Sequence, residues 1–147
     1  MNMKNVLITG GVGFIGTNLA EFLLKHCYNV YSLDNYSFGS KQNELKKVSY
    51  YNLDIEEIDQ IKQQIDIGFH LAAMARVQPS FENPSEYFRV NTYGITKVME
   101  WAKKNNVKVV YAGSSSKHFD PSDSPYAMYK FLGEEVCKLY KKTYDVS

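Results

Sequence analysis

The sequence is poor in the features that mark several common classes of protein. Cysteine is scarce: Cys27 and Cys137 are the only two in 147 residues, and neither belongs to a CxxC pair or stands with paired histidines. This spacing argues against a disulfide framework and against a zinc site. We therefore expect no bound metal, and a protein of the reducing cytoplasm.

A long apolar run and an excess of one charge are also missing. No run approaches the roughly 20 apolar residues of a membrane-spanning helix, and no leader-like segment precedes the first apolar run. The 17 basic side chains nearly balance 16 acidic ones, for a formal net charge of +1. Such a balance provides no field to attract nucleic acid or an anionic membrane. We expect neither as a partner.

What the sequence does contain is a regular alternation of short apolar runs and longer helical patterns. The apolar runs predict strands at 5–9, 30–33, 48–53, 67–71 and 107–112. The two longest helical patterns are 84–104, which follows an Asn-Pro start signal, and 126–144. This alternation predicts an α/β fold of the Rossmann type, a doubly wound parallel sheet. Such a sheet binds its ligand at the carboxyl ends of the strands, where the strand order reverses.

A glycine-rich turn joins the first strand to the first helix. Within Gly-Gly-Val-Gly-Phe-Ile-Gly, Gly11, Gly13 and Gly16 fit the GxGxxG pattern in the strand–turn–helix context that it requires. We expect Gly11 to provide a tight turn with positive φ, Gly13 to admit a pyrophosphate, and Gly16 to let helix and strand pack closely. A glycine turn that only reverses the chain is the alternative. The helix that follows has Leu19, Phe22, Leu23 and His26 on one face.

An acidic residue stands where the second predicted strand ends. Asp34 lies 18 positions beyond Gly16, where a carboxylate accepts the hydroxyl groups of an adenosine ribose. A 2′-phosphate would meet a like charge there, and no arginine follows nearby, so the sequence favours NAD over NADP. Asp34-Asn35 is also a turn signal, and both interpretations are compatible.

Tyr126 and Lys130 form an i, i+4 pair on one face of the last predicted helix. A tyrosine has an unperturbed pKa of about 10 and is a weak base at neutral pH, but a nearby ammonium and a nicotinamide cation favour its phenolate. Tyr126 would then exchange a proton with an alcohol, positioned by a serine hydroxyl from the preceding strand end. Because the chain has 12 tyrosines, a solvated Tyr–Lys pair without a function is the competing explanation.

Together these patterns resemble the extended short-chain dehydrogenase/reductase family, specifically its NAD-dependent nucleotide-sugar epimerases and dehydratases. The resemblance rests on residues 10–16, 34–35, 53–55, 70–73, Asn91, 114–116 and 126–130, and it covers essentially the whole chain. In this family a sixth strand and a substrate-binding part follow the last helix. The resemblance therefore implies that residues 1–147 are an NAD-binding Rossmann domain without its C-terminal substrate domain.

The resemblance implies a set of cofactor-binding residues. They are Gly10, Gly13, Phe14, Ile15, Gly16, Asp34, Asn35, Asp54, Ile55, Leu71, Ala72, Ala73, Asn91, Ser114, Tyr126 and Lys130. Within this set Asp54 and Ile55 would touch the adenine, and residues 71–73 would line the ribose and pyrophosphate path. The predicted inner stripe of the helix 84–104 consists of Tyr87, Val90, Asn91, Gly94, Ile95, Val98 and Met99. Asn91 is the polar side chain in this otherwise apolar stripe, so we expect its amide to have a partner, either at the cofactor site or within the core.

The implied catalytic residues are Ser115, Tyr126 and Lys130, with Ser114 and Ser116 as alternatives to Ser115. Relatives that dehydrate or decarboxylate sugars usually carry an acidic residue directly after this serine or threonine, whereas Lys117 follows the serines here. We therefore favour a 4-epimerase of a nucleotide sugar, in particular a UDP-sugar. A dehydratase or decarboxylase, a non-catalytic NAD-binding module and an NADP-linked reductase of another carbonyl remain the alternatives.

Two further expectations follow from the resemblance. Family members often form homodimers through the helices that correspond to 84–104 and 126–144. Trp101, Phe131 and Leu132 would supply apolar contact there, although packing in the core explains these side chains equally well. The segment 117–119 departs from the Val-Tyr-Gly-like sequence common in the family. His118 within it is more easily explained by solvent or packing than by contact with a sugar.

Overall fold

The computed structural model describes residues 3–147, apart from the side chain of Lys117. The strands are β1 (Asn5–Thr9), β2 (Asn29–Asp34), β3 (Val48–Asn52), β4 (Ile67–His70) and β5 (Lys108–Tyr111). The α-helices are α1 (Phe14–Lys25), α2 (Gln78–Glu82), α3 (Pro84–Phe88), α4 (Gly94–Asn105) and α5 (Pro125–Tyr144). A π-helical turn (Arg89–Tyr93) joins α3 to α4, and 3-10 turns lie at Lys41–Asn43, Ile55–Gln60, Ser115–His118 and Pro121–Asp123.

The strands form one parallel sheet in the order β3-β2-β1-β4-β5. At the carboxyl end of β1, Thr9 lies opposite Leu33 of β2 on one side and His70 of β4 on the other. The order of the strands along the chain reverses between β1 and β4, and a cleft forms at such a point in open α/β sheets. The predicted doubly wound sheet is confirmed.

Helices cover both faces of the sheet. Because successive side chains of a strand point to opposite faces, Val6 and Ile8 of β1 pack with α1, while Leu7 packs with α4 in the larger core cluster. Trp101 of α4 is 2% exposed and belongs to this larger cluster. It is therefore a core residue, which settles the choice that the sequence left open for this side chain.

The inner face of α1 differs from the one that its apolar residues predict. The buried positions are Gly16, Ala20 and Leu23, whereas Phe22 and His26 are exposed and stack on each other. The reason lies at Gly16, where an added Cβ would come within 2.3 Å of the Gly10 carbonyl oxygen. The helix turns this glycine towards the sheet, and the aromatic pair consequently faces outward.

The helix predicted over 84–104 is present but divided. The π-helical turn between α3 and α4 contains Asn91, and the predicted inner positions Tyr87, Ile95 and Val98 are buried as expected. The short helix α2 lies where the sequence predicts a loop, and the Ser80 hydroxyl stabilises its start by donating to the Val77 carbonyl at 2.6 Å. Both differences involve the segment that leads from the end of β4 to α4.

The end of the chain runs beside β5. After α5, Asp145 adopts a left-handed conformation with a φ of 54°. The chain then turns back, and the Ser147 carbonyl accepts a hydrogen bond from the Val109 N–H at 2.7 Å. Val146 is buried in the larger core cluster. These contacts place the last residues along the outer edge of β5.

Membrane and metal features can be stated for residues 3–147. No helix in this part of the chain is long and apolar enough to cross a membrane. Over the same residues, His, Cys, Asp and Glu side chains do not gather in a group of three or more that would hold a metal ion. Cys27 is an exposed thiol and Cys137 a half-buried one.

Candidate cofactor and active site

A cleft of about 860 Å³ opens at the carboxyl ends of the central strands. Ten of the 16 residues predicted to bind the cofactor line it, namely Gly10, Gly13, Phe14, Asp34, Asn35, Asp54, Ile55, Leu71, Ala72 and Ala73. Its volume is in the range of about 300–1,000 Å³ that is usual for ligand pockets. The other six do not line the cleft, namely Ile15, Gly16, Asn91, Ser114, Tyr126 and Lys130. Of these, Tyr126 packs on Tyr87, which does line it.

The glycine turn forms one wall of the cleft. Gly10 has a φ of 75°, and an added Cβ would lie 2.8 Å from the Ala72 nitrogen. Gly11, predicted to provide the tight turn, has no positive φ. It is instead packed against Ser32, whose Oγ would be 2.1 Å from an added Cβ. The prediction for Gly11 is therefore wrong: β1 ends at Thr9, so the turn begins one residue earlier than the GxGxxG spacing indicates.

Asp34 links the end of β2 to this turn. Its carboxylate accepts from the Val12 N–H at 3.2 Å and from the Tyr36 N–H at 2.8 Å. Asn43 holds the same turn by donating to the Val12 carbonyl at 2.8 Å. A carboxylate has about four acceptor positions, so Asp34 retains capacity for the hydroxyl groups of a ribose. The glycine turn, the start of α1 and Asp34 together form a cradle that fits a dinucleotide.

Arg89 organises the part of the cleft next to Asn35, whose Nδ2 donates to Asp54 at 3.0 Å. Its guanidinium bonds to Asp54 at 3.0 Å, to Glu56 at 2.6 Å and to Glu86 at 2.7 Å. Burial acts to raise the pKa of Asp54, but hydrogen bonds from Arg89, the Glu56 backbone and Asn35 outweigh it and hold the pKa below its usual value. Sequence reasoning missed Arg89. Its partners Asp54 and Glu56, at the start of the 3-10 turn Ile55–Gln60, lie more than 30 positions away along the chain.

The loop after β4 is fixed by two side chains from the helices. The Asn91 amide bonds to both backbone groups of Met74, with its Oδ1 accepting at 2.8 Å and its Nδ2 donating at 2.9 Å. The Tyr87 hydroxyl donates to the Ala75 carbonyl at 2.7 Å. The expectation that Asn91 has a partner is confirmed. Its partner is the backbone of the loop that lines the cleft.

Lys130 is buried at the amino-terminal part of α5. The side chain is 4% exposed, its Nζ donates to the Ala112 carbonyl at 2.6 Å, and Nζ lies 4.3 Å from the centre of the Tyr111 ring. Burial lowers the pKa of Lys130 to about 8. This ammonium is consequently held just beyond the end of β5 by a carbonyl and an aromatic face, which are both favourable partners for a cation.

Tyr126 stands one helical turn before Lys130 and contacts the cleft indirectly. Its ring packs edge-to-face on Tyr87, with the ring centres 6.5 Å apart, and Tyr87 lines the cleft. The Tyr126 N–H donates to the Ser80 hydroxyl at 3.2 Å. Tyr87 and Ser80 therefore position the start of α5 against the segment after β4. Sequence reasoning assigned no site role to either, although Tyr87 was placed on the inner stripe.

The serine run follows β5 directly. The Ser114 Oγ caps the 3-10 turn, since it accepts from the Ser116 N–H at 3.2 Å and lies 2.8 Å from the Ser116 Oγ. Ser114 is half-buried, whereas Ser115 is exposed. His118, at the end of the turn, is exposed as well. The structure thus brings the serines to the same sheet edge as α5 without distinguishing which hydroxyl would act on a substrate.

The parallel sheet, its glycine turn and Asp34 define a dinucleotide-binding protein of the Rossmann type. Residues 6–147 match the family described as the NAD dependent epimerase/dehydratase family. The chain belongs to this family, and NAD is accordingly the cofactor that the cleft fits.

Several curated relatives of the chain are named as enzymes of nucleotide sugars. A putative UDP-glucose 4-epimerase of Methanocaldococcus jannaschii is 32% identical over 96% of this chain and 52% of its own length. A UDP-N-acetyl-alpha-D-glucosaminuronate decarboxylase of Bacillus cytotoxicus is 32% identical over 93% of this chain and 50% of its own. The chain thus spans about half the length of the curated relatives it matches.

Solved structures agree with the fold. An epimerase of Methanothermobacter thermautotrophicus superposes with a TM-score of 0.90 at 33% identity, over 99% of this chain and 49% of that one. The UDP-glucose 4-epimerase of Brucella ovis, solved in complex with NAD, gives 0.89 at 25% identity, over 97% of this chain and 49% of that one. Since epimerases and a decarboxylase are both similar to the chain, membership of the family does not specify the reaction.

Proposed function

We propose that the chain is the NAD-binding part of a nucleotide-sugar 4-epimerase and carries its catalytic side chains. The observation that supports this most directly is the position of Tyr126. It packs on the cleft-lining Tyr87 and stands one turn from the buried ammonium of Lys130. A phenol beside a dinucleotide cleft, with a cation on the same helix face, is suited to proton exchange with a sugar hydroxyl.

The cofactor-binding roles divide along the cleft. The glycine turn and the first turn of α1 would face the pyrophosphate, Asp34 the adenosine ribose, and Asp54 with Ile55 the adenine. When bound, NAD supplies a hydride acceptor that becomes a donor in the return step. Asn91 would keep the wall formed by residues 71–75 in place through its bonds to Met74.

Tyr126 would take the proton of the sugar 4-hydroxyl as C4 is oxidised, and return it when the 4-keto sugar is reduced on its other face. Lys130, whose pKa of about 8 keeps much of it cationic at neutral pH, would supply a positive charge one helical turn from Tyr126. Ser115 would hydrogen-bond the same sugar oxygen, with Ser114 as the alternative because it is the more buried of the two.

A dehydratase or decarboxylase of the same family is the second candidate, supported by similarity to the Bacillus cytotoxicus decarboxylase. Dehydration needs an additional acid and base near the tyrosine. The first carboxylate after the serines is Asp120, which accepts from the Ser122 N–H at 2.8 Å and the Ser122 hydroxyl at 2.6 Å. These bonds hold the pKa of Asp120 below its usual value, so it is poorly suited to donate a proton. Epimerisation therefore remains the better proposal.

We also propose a homodimer formed through 84–104 and 126–144. Four large side chains of these segments are well exposed, namely Phe88 at 45%, Tyr93 at 42%, Leu139 at 55% and Tyr144 at 48%. Exposed apolar side chains on both segments support an interface there. Sedimentation analysis of the wild type and of Leu139→Asp tests this, since a dimer that uses this face should dissociate in the variant.

We propose a UDP-sugar as the ligand rather than nucleic acid or a membrane, because the charge of the chain is balanced. We also propose a cytoplasmic location.

The test of the proposed function has two stages. Calorimetry first measures NAD binding, and its absence would remove the proposal. Conversion of UDP-glucose to UDP-galactose is then assayed for the wild type, for Tyr126→Phe and for the control Tyr129→Phe on the same helix. Loss of about 100-fold or more in Tyr126→Phe alone is expected of a general acid–base residue. Turnover is assayed both in this chain and in a longer chain that includes a substrate-binding part. NAD binding without turnover of UDP-sugars in either one favours the non-catalytic alternative.

A further inference from the structure

Arg76 has an unusual backbone conformation in the wall of the cleft. Its φ is 77°, in the left-handed region that residues other than glycine rarely occupy. The two preceding residues are anchored, Met74 by Asn91 and Ala75 by the Tyr87 hydroxyl. Strained conformations persist where surrounding contacts impose them, and such positions cluster at ligand sites. The anchored loop thus fixes the backbone next to Arg76, which is one of the residues that line the cleft.

The charges of the cleft make this arginine distinctive. The charged residues that line it are Asp34, Asp54, Glu86, Arg76 and Arg89. The N–H groups of Arg89 are directed at Asp54, Glu56 and Glu86, so its charge is already compensated. Within residues 3–147, no ion pair or side-chain hydrogen bond involves Arg76. It is therefore the uncompensated cation of the cleft lining in the described part of the chain.

The location of Arg76 indicates which part of a ligand it would meet. Tyr87 bonds to Ala75, the residue before Arg76, and also packs on Tyr126. Arg76 consequently lies towards the Tyr126 end of the cleft. Asp34 ends β2 and Asp54 follows β3, on the other side of β1 from the loop after β4 that carries Arg76. A ligand group near Arg76 would thus be close to the reacting end of the cofactor or to the substrate.

We propose that Arg76 is a specificity-determining residue that binds an anionic oxygen group of the ligand, a phosphate or a carboxylate. The inference rests on the proposed function, because it requires a dinucleotide or a nucleotide sugar in the cleft. A guanidinium presents two parallel N–H donors that match the oxygens of either group. The anion comes from the diphosphate of NAD, the diphosphate of the nucleotide sugar, or the carboxylate of a uronic sugar.

Calorimetric titrations with NAD, UDP-glucose and UDP-glucuronate distinguish these sources. They are carried out on the wild type, Arg76→Gln, Arg76→Lys and Lys104→Gln, at low and at physiological salt. Lys104→Gln is the matched control, since it removes one positive charge from the exposed end of α4. Arg76→Gln is expected to weaken one class of ligand by about 10-fold or more, as for loss of a hydrogen bond to a charged group. Arg76→Lys should retain part of the affinity.

The pattern of loss identifies the anion. Weaker NAD binding points to the cofactor diphosphate, equal losses for both UDP-sugars to the substrate diphosphate, and a loss confined to UDP-glucuronate to the carboxylate. Arg76→Gly serves as a folding control, because glycine accepts a positive φ and should not lower the melting temperature. Unchanged affinity of Arg76→Gln for every ligand that the wild type binds overturns the inference. A wild type that fails to bind NAD instead removes the proposed function.

Discussion

Asn91 and Met74 are joined by two hydrogen bonds, at 2.8 Å and 2.9 Å, that satisfy both polar groups of the amide and both backbone groups of Met74. Asn91 is 2% exposed, so its amide has no ready access to water as a substitute partner. An unpaired buried donor or acceptor costs about 1–3 kcal/mol. This contact therefore couples the stability of the fold to the shape of the cleft wall.

We expect Asn91→Leu to lower the free energy of unfolding by about 2 kcal/mol or more, because it leaves two backbone groups unpaired. NAD affinity should fall as well, since residues 71–75 line the cleft. Urea denaturation and calorimetry measure the two effects. Asn105→Leu is the control: Asn105 is exposed and its Nδ2 makes a single bond, to the Trp101 carbonyl, so a smaller change is expected. Equal losses in both variants would contradict this account of Asn91.

Gly10 provides a second prediction about the same wall. Gly10→Ala must accommodate a Cβ 2.8 Å from the Ala72 nitrogen at a φ of 75°. The left-handed conformation alone costs a side chain about 1–2 kcal/mol. We expect a marked loss of stability together with weaker NAD binding.

Gly68→Ala is the matched control for Gly10→Ala. Its added Cβ would meet no neighbour closer than 3.7 Å, at an ordinary φ. Alanine in a strand is also favoured over glycine by about 0.5–1 kcal/mol. The melting temperature should thus hold or rise in Gly68→Ala and fall in Gly10→Ala. A fall of similar size in both would show that the position of the glycine does not matter.

These glycines show how far local pattern predicts the site. Gly10 and Gly11 stand next to each other, and either completes a glycine spacing with Gly13 and Gly16. Which of the two turns the chain depends on where β1 ends and on the proximity of Ala72, which lies about 60 positions away. The pattern predicts the cradle, but only the tertiary contacts identify the strained residue.

Arg89 and the π-helical turn are features that the local sequence does not predict. Arg89 binds Asp54 and Glu56, which follow β3 and are more than 30 positions away along the chain. Only the tertiary fold places them together, so nothing in the sequence next to Arg89 indicates these partners. The π-helical turn leaves the inner stripe of 87, 91, 95 and 98 intact, and the apolar pattern is therefore the same as that of a continuous helix. Asn91 was predicted to need a partner, but a backbone partner leaves no side-chain signature.

His70 is expected to make the fold sensitive to acid. The ring is buried in the sheet, where its Nδ1 lies 2.7 Å from the Thr9 hydroxyl, and burial, assisted by the charge of Lys130, lowers its pKa to about 3. The unfolded chain therefore binds a proton near pH 6.5 that the folded chain refuses until about pH 3. Stability contributed by neutral His70 is present above this window and is lost as the pH falls through it.

The measurement is the free energy of unfolding at pH 7.5 and at pH 5.0. Each pH unit below about 6.5 costs up to about 1.4 kcal/mol, so about 2 kcal/mol should be lost from this group at pH 5. His70→Gln removes the titrating ring. Between pH 7.5 and pH 5.0 the free energy of unfolding of this variant should therefore fall by about 2 kcal/mol less than that of the wild type. His118→Gln is the control, because His118 is exposed. A pH dependence that is unchanged in His70→Gln would contradict the assignment.

Asp34 is expected to set the preference between NAD and NADP. Its carboxylate, held by the N–H groups of Val12 and Tyr36, lies in the cleft wall and would repel a 2′-phosphate. Asp34→Ala combined with Asn35→Arg removes this charge and adds a cation beside it. We expect the ratio of NADP to NAD affinity to rise by about 10-fold or more, since a phosphate–guanidinium contact replaces a repulsion.

Asn35→Arg alone separates the two effects. With Asp34 in place, the new guanidinium has a carboxylate beside it, so the variant should still prefer NAD. Competition calorimetry with both dinucleotides measures the ratio for the wild type, the single variant and the double variant. An NADP preference already present in Asn35→Arg would assign selectivity to the cation, and an unchanged ratio in the double variant would place the ribose elsewhere in the cleft. A stepwise rise that depends on removal of Asp34 is the outcome expected from a carboxylate that contacts the ribose.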